Sequence, residues 1–137
     1  LPPMKNRPDF FGHQLLMDHE DNLLGEETAM LAAATDIGIY EVPNLVASYG
    51  GIAYPAHIDR PSFSVLSNLG FWDSAMGFPM AELSPHCPPE VTRRPDLAGL
   101  RFVTGCDAHY LHQIPDPHQA MSLPSLSLDG VFRWLKG

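Results

Sequence analysis

The segment 40–56 most strongly constrains the fold, because it predicts a helix followed at once by a buried strand. Apolar residues at positions 42, 45, 46 and 49 recur with the spacing of one helix face, and Pro43 lies in the first turn, where proline is tolerated. Gly50 and Gly51 supply a left-handed stop. Ile52–Ala56 is a continuous apolar run of strand length. The segment therefore indicates a helix–strand unit of an α/β protein.

The same alternation continues along the rest of the chain. The pattern predicts a hairpin or a loop excursion from Gln14–Asp18 and Leu23–Leu24, and a helical or turn segment over Pro89–Leu97. It also predicts helices over Glu26–Ala34, Tyr40–Tyr49 and Ser62–Leu69, strands over Met80–Leu83 and Leu100–Thr104, and a final helix capped by Ser127. Such alternation is typical of an α/β fold with a mainly parallel sheet. We expect a single domain over residues 1–137, with an irregular or inserted segment over 1–25 and the α/β part over 26–137.

The composition limits the classes of function. Eight Lys and Arg against sixteen Asp and Glu give a net charge of −8, which argues against binding to nucleic acid or anionic lipid through a broad basic surface. No apolar run approaches the roughly 20 residues that a membrane-spanning helix needs. The 137 residues contain only two cysteines, which favours a reducing compartment, the bacterial cytoplasm, over a disulfide framework. The sequence begins at Leu1 and not at Met, so we expect a processed chain or a piece of a longer one.

Polar side chains follow three predicted strands, at the ends where α/β proteins bind ligands. His57 and Arg60 follow the first strand, His86 follows the second, and Asp107 and His109 follow the third. Asp107 and His109 are two positions apart, so in an extended backbone both side chains point to the same side. Carboxylate and imidazole groups placed together suit zinc, manganese or iron, and a water molecule on such a metal can become a hydroxide nucleophile.

Each of these residues also has a purely structural interpretation. His57 is compatible with a half-buried, hydrogen-bonded histidine, and Asp107 with a cap on the segment that follows it. Arg60 is compatible with a surface salt bridge to Asp59 or another acid. The remaining candidates fit exposed loops or inert packing: His86, His109, His112, His118 and Cys106.

Two motifs together resemble a known family. Gly50–His57, with the sequence GGIAYPAH, and Cys106–Leu111, with the sequence CDAHYL, resemble the last two metal-binding motifs of the polymerase and histidinol phosphatase (PHP) domain. The resemblance covers about residues 9–115. It includes residues 10–14 and the acidic run before Gly25, which are similar to an insertion in a bacterial branch of the family. That family comprises metal-dependent phosphoesterases built on a distorted (β/α)7 barrel.

The resemblance implies the C-terminal part of such a barrel, with mainly parallel strands and flanking helices. It also implies that His57, Asp107 and His109 are metal ligands, that the cofactors are divalent Zn, Mn or Fe ions, and that the ligating atoms lie within about 7 Å of one another. Cys106 stands where the family has serine. The family's first H-x-H motif and its central ligands would precede residue 1, so we expect the C-terminal half of a longer protein.

These features lead to two hypotheses. In the first, the protein hydrolyses a small phosphate ester by metal-activated water, and Arg60 contacts the phosphate. In the alternative, it is a non-catalytic binding or assembly subunit with a partial PHP fold and an incomplete metal centre. A partial barrel leaves strand edges uncovered, so we expect an oligomer or a partner chain that completes it. A nicotinamide-binding fold is disfavoured, because no G-x-G-x-x-G links a strand to a helix.

Overall fold

The computed structural model describes residues 2–116 and 120–137, and the chain divides into one compact unit that ends at Gly38 and a second that runs from Ile39 to Gly137. The helices are α1 (Pro8–Phe11), α2 (Val42–Ser48), α3 (Val65–Leu69), α4 (Pro89–Thr92) and α5 (Leu128–Lys136), and the strands are β1 (Leu15–Met17), β2 (Leu23–Glu26), β3 (Met80–Leu83) and β4 (Arg101–Thr104). Short 3-10 turns cover Ser74–Met76, Pro95–Leu97 and Leu111–Gln113. Among the helices of these residues, none has both the length and the apolar character needed to cross a membrane.

The first unit is organised around a β-hairpin, as the sequence predicts. Strands β1 and β2 pair antiparallel, with Leu15 opposite Glu26. The turn between them is held by Asp18, whose Oδ1 accepts hydrogen bonds of 2.9 Å from the backbone N–H groups of Glu20 and Asn22. These local bonds explain why a polar run between two apolar stretches forms a tight turn.

The predicted helix over Glu26–Ala34 is wrong. Glu26 completes β2, and the following backbone groups are taken by side chains. The Gln14 carboxamide donates to the carbonyls of Glu27 and Ala29, at 2.8 and 2.7 Å, and accepts from the N–H of Leu31. Side-chain hydrogen bonds of this kind compete with the helical pattern and override the helix propensity of the segment.

The second unit contains the helices that the sequence predicts with the clearest end signals. Helix α2 confirms the helix predicted over Tyr40–Tyr49. Helix α3 begins at Ser64, whose Oγ accepts from the Ser67 N–H at 3.1 Å, and ends at Gly70, which has φ 80°. Helix α5 begins at Ser127, whose Oγ accepts from the Gly130 N–H at 3.1 Å. Local capping chemistry therefore sets the start of α3 and of α5, and the helical residues of α3 start three residues after the predicted start at Ser62.

Strands β3 and β4 form a parallel pair, with Met80 opposite Arg101, and both predicted strands are confirmed. The remaining predicted strand, Ile52–Ala56, does not form regular strand structure, although its end runs beside β3. The Glu82 N–H donates to Pro55 O, and the Ile58 N–H donates to Glu82 O, both at 2.9 Å. Because Pro55 has no N–H, this run cannot supply a full ladder of hydrogen bonds.

The core of the second unit lies around β3 and the residues before it. It consists of buried apolar side chains: Ile58, Trp72, Met76, Ala81, Leu83 and Leu97. Ile58 is fully buried and directly follows His57. The core therefore anchors the turn that carries His57 and Arg60.

The expectation of the C-terminal part of a (β/α)7 barrel is wrong. The described residues contain four strands of three or four residues each, in two separate two-stranded sheets, one antiparallel and one parallel. A closed barrel needs strands that pair continuously around a ring, and only one parallel pair is present in this part of the chain. The expectation of an oligomer or a partner chain stays a prediction. Prolines account for 14 of the 137 residues, and they interrupt the chain too often for long strands to form.

Candidate functional site

The candidate site lies where two loops meet at the carboxyl ends of neighbouring strand segments. His57 and Arg60 belong to the turn after Pro55, which is hydrogen-bonded to β3. Asp107 and His109 follow β4, the parallel partner of β3. Since parallel segments end at the same edge, the two loops converge there.

Asp107 is the centre of this arrangement. Its Oδ2 atom lies 2.8 Å from Arg60 Nη1 and 3.9 Å from His57 Nε2. Its Oδ1 atom lies 4.0 Å from His109 Nδ1. The structure therefore brings both histidines close to Asp107, and the role of the three residues as metal ligands stays a prediction.

A small cavity of about 220 Å³ is lined by His57, Arg60, Asp107 and His109, together with Ser62 and Phe63. Side-chain exposure is 17% for His57 and 24% for Asp107, while His109 is exposed at 71%. The cavity therefore has a partly buried floor, formed by His57 and Asp107, and an open rim.

Unusual backbone geometry is concentrated in this cavity. His57, Phe63 and Asp107 have φ values of 31°, 54° and 49°, in the left-handed region that non-glycine residues rarely adopt. Among the described residues, Asp21 is the only other non-glycine residue with a positive φ. Such conformations cost free energy and cluster at binding and catalytic sites, so their concentration around one cavity supports a functional role for it.

Two hydrogen bonds determine the orientation and tautomer of His109. Its Nδ1 atom lies 2.9 Å from the backbone oxygen of Asp107, and because a carbonyl oxygen only accepts, Nδ1 is the donor. Nε2 then carries the lone pair in the neutral ring, which is the arrangement found in metal-binding histidines. The His109 backbone N–H donates to Gln113 Oε1 at 2.7 Å.

His57 contains a buried nitrogen with no hydrogen-bond partner among the described residues. This atom is Nδ1, while Nε2 faces Asp107 at 3.9 Å. A buried polar atom without a partner costs about 1–3 kcal/mol. His57 is half-buried, but its Nδ1 atom does not make the hydrogen bond that the purely structural interpretation requires within the described residues.

Arg60 pairs with Asp107, and the neighbouring Asp59 has a different role. Both carboxylate oxygens of Asp59 accept from Ser84, one from its N–H at 2.7 Å and the other from its hydroxyl group. This contact ties the His57–Arg60 turn to the end of β3. The sequence analysis missed the role of Ser84 and Gln113, since a polar side chain that holds a neighbouring loop leaves no spacing signal.

The donor chemistry of the site fits a divalent metal ion. Two imidazoles and one carboxylate are a common ligand set for zinc, manganese and iron. A metal bound at about 2.1 Å by two groups holds their ligating atoms about 3.0–3.4 Å apart; His57 Nε2 and Asp107 Oδ2 are 3.9 Å apart. Within residues 2–116 and 120–137, however, no group of three or more His, Cys, Asp or Glu side chains could hold a metal ion as arranged. The ligand set is therefore chemically suitable and geometrically incomplete.

The other sequence candidates lie outside this cavity. His86 and Cys106 line a second, larger cavity. His112 stacks on the Tyr110 ring, with centroids 5.6 Å apart. His118 lies outside the described residues.

Comparison with known proteins does not assign this chain. No protein-family model, no curated protein and no solved structure matches it. The functional argument therefore depends on the site itself.

Proposed function

We propose that the protein hydrolyses a small phosphate ester with the help of divalent metal ions, and that the cavity around Asp107 binds the phosphate. One observation carries the proposal. His57 and Arg60 from one loop and Asp107 and His109 from another converge on a single cavity of about 220 Å³, in which two of the four residues have positive φ.

The residues of the cavity have distinct roles in this proposal. His57, Asp107 and the Nε2 atom of His109 hold a Zn, Mn or Fe ion. Such an ion lowers the pKa of bound water toward 7 and polarises a phosphoryl oxygen. Arg60 leaves Asp107 and donates two N–H groups to the phosphate, because a guanidinium matches phosphate geometry. The Nδ1–H···O bond from His109 to Asp107 keeps the ring in the ligating tautomer.

The multinuclear centre that the resemblance implies has further ligands besides these three, in the family's H-x-H motif and its central motifs. We propose that the remaining ligands come from polypeptide outside these residues, in the same chain or in a partner chain.

The two cysteines, Cys87 and Cys106, are unpaired. Free thiols favour a reducing compartment, and we place the protein in the cytoplasm.

The test compares the full protein with Asp107→Asn and with a control, Asp129→Asn. Asp129 forms an exposed ion pair with Arg133 on α5 and lines neither cavity. Metal content is measured by mass spectrometry after loading with Mn²⁺, and turnover is measured on p-nitrophenyl phosphate. We expect the wild type and Asp129→Asn to bind metal and turn over, and Asp107→Asn to lose both while its melting temperature stays within a few degrees. Equal turnover in Asp107→Asn would exclude a catalytic metal at this position.

A second candidate is a non-catalytic binding or assembly subunit. Two observations favour it: Arg60 already neutralises Asp107, and the described residues lack a complete metal-binding group. Metal stoichiometry distinguishes the candidates. Wild-type protein that takes up no Mn²⁺, Zn²⁺ or Fe²⁺ would support the subunit and contradict the enzyme.

A further inference from the structure

A second cavity of about 750 Å³ lies beside the phosphate cavity. Arg60 lines both cavities, so the two meet at its side chain. The larger cavity is bounded by residues that follow β3, such as Ser84, and by residues that follow β4, such as Cys106 and Gln113. Its volume falls in the range of about 300–1,000 Å³ that is typical of small-molecule sites.

Two wall residues, Ser84 and Gln113, each have a hydrogen-bonding group that remains available to a ligand. The Ser84 hydroxyl group donates to Asp59, so its oxygen is left with lone pairs for a further donor. Gln113 Oε1 accepts from the N–H groups of His109 and Tyr110, at 2.7 and 3.0 Å, so its carboxamide NH₂ is left as the donor. Ser84 and Gln113 thus offer one acceptor and one donor to the cavity, at positions that neighbouring loops hold in place.

The other wall residues include apolar ones, such as Pro85, Ile114 and Pro115, and polar ones, namely His86, Thr104 and Asp116, whose carboxylate disfavours a second anion. Arg60 is the only Lys or Arg among the wall residues, and it faces the phosphate cavity as well. A second phosphate or a polyanion would therefore find no further cationic partner there. An uncharged organic group that carries hydroxyl groups satisfies the donor, the acceptor and the apolar surface together.

We propose that the larger cavity binds the organic part of the phosphate ester, that this part is an uncharged polyhydroxylated group, and that Gln113 and Ser84 recognise its hydroxyl groups. The inference rests on the proposed function, because it assumes that the phosphate lies in the cavity around Asp107. Gln113 also holds His109 through the backbone N–H, so it links recognition of the organic group to the position of a candidate metal ligand.

The test uses two phosphate esters of similar size. D-Glucose 6-phosphate carries hydroxyl groups, and cyclohexylmethyl phosphate carries none. Dissociation constants are measured by calorimetry on the full protein, without relying on turnover, and KM and kcat are measured with Mn²⁺. We expect the wild type to bind the hydroxylated ester about tenfold more tightly, which is the effect of one or two hydrogen bonds.

Two variants of Gln113 separate recognition from folding. Gln113→Glu keeps an oxygen for the N–H groups of His109 and Tyr110 but removes the NH₂ donor, and Gln113→Ala removes both. We expect each to lose most of the tenfold preference, through KM more than kcat, with only Gln113→Ala also altering metal binding. Asn44→Asp, which adds the same charge on the exposed side of α2, should keep the preference. Using the ratio of the two esters cancels any general repulsion of phosphate by the new carboxylate.

The possible failures are distinct. Equal binding of the two esters by the wild type, no binding of either, or a preference unchanged in both Gln113 variants would overturn the assignment of this cavity. Turnover of p-nitrophenyl phosphate without a preference would contradict the cavity assignment and leave the proposed function standing. A preference in binding without turnover of any ester would contradict the proposed function and leave the cavity assignment standing.

Discussion

Arg60 and Asp107 connect the two loops of the candidate site, with Nη1 of the arginine 2.8 Å from Oδ2 of the aspartate. The same oxygen is the one nearest to His57 Nε2. Asp107 therefore presents one carboxylate oxygen to a cation and a histidine at the same time. A metal ion and Arg60 would compete for that oxygen, and a phosphate would draw Arg60 away from it.

Replacing Arg60 tests this competition. Arg60→Lys keeps the charge but loses the two-pronged contact with phosphate, so we expect KM for p-nitrophenyl phosphate to rise roughly tenfold. Unfolding in urea should change by less than about 1 kcal/mol, because the ion pair is partly exposed, 41% at Arg60 and 24% at Asp107. Arg60→Gln should bind Mn²⁺ at least as tightly as the wild type, since it frees the Asp107 oxygen. An unchanged KM in both variants would remove Arg60 from the phosphate site.

The cap of α3 links helix stability to the site. Ser64 is 3% exposed, and its hydroxyl group accepts from the Ser67 N–H and donates to Arg60 O at 2.7 Å. We expect Ser64→Ala to lower the free energy of unfolding by about 1–2 kcal/mol and to reduce turnover, because the Arg60 backbone loses its anchor. Ser127→Ala is the matched control. It removes the cap of α5 at a cost of about 1 kcal/mol and should leave both turnover and KM unchanged, whereas Ser64→Ala should change both. Equal effects of the two variants on KM would contradict the link.

Asp96 makes part of the stability depend on pH. The Arg94 guanidinium and then the Trp72 N–H hydrogen-bond to its carboxylate and lower its pKa to about 2. A lowered pKa in the folded state stabilises the fold above the unfolded value near 4, and the stabilisation is lost as pH falls from about 4 to 2. We expect Asp96→Asn to reduce stability by about 1–2 kcal/mol at pH 7. Urea unfolding measured at pH 7 and at pH 2 should show the difference shrinking; a difference that persists at pH 2 would contradict this account.

For a substitution at Gly130, helix propensity and the contact with Ser125 predict opposite effects on stability. Alanine normally stabilises a helix interior by about 0.5–1 kcal/mol relative to glycine. In α5, however, a Cβ atom at Gly130 would collide with the backbone oxygen of Ser125. We therefore expect Gly130→Ala to lower the melting temperature, while Asp129→Ala, at the neighbouring exposed position, should change it little. A higher melting temperature for Gly130→Ala would show that the contact with Ser125 is not maintained.

Local signals in the sequence were sufficient for several elements. The hairpin, α3 and α5 are held by hydrogen bonds between atoms a few residues apart, such as those of Asp18, Ser64 and Ser127, although the cap at Ser64 was not itself predicted. The helix predicted over Glu26–Ala34 failed for the opposite reason, since the Gln14 side chain takes up the backbone groups of that segment.

The sequence by itself determined which residue types follow the strand segments: His57, Arg60, His86, Asp107 and His109. The tertiary structure placed His86 outside the cavity that the other four line. Only the tertiary structure decided how they interact. It paired Arg60 with Asp107 and not with Asp59, because Asp59 is engaged by Ser84 at the end of β3. It also decided that, in the part of the chain that the structure describes, the parallel strands form one pair and not a barrel. Strand pairing and ion pairing depend on which distant segments meet, and a pattern of neighbouring residues contains no information about the competing partner.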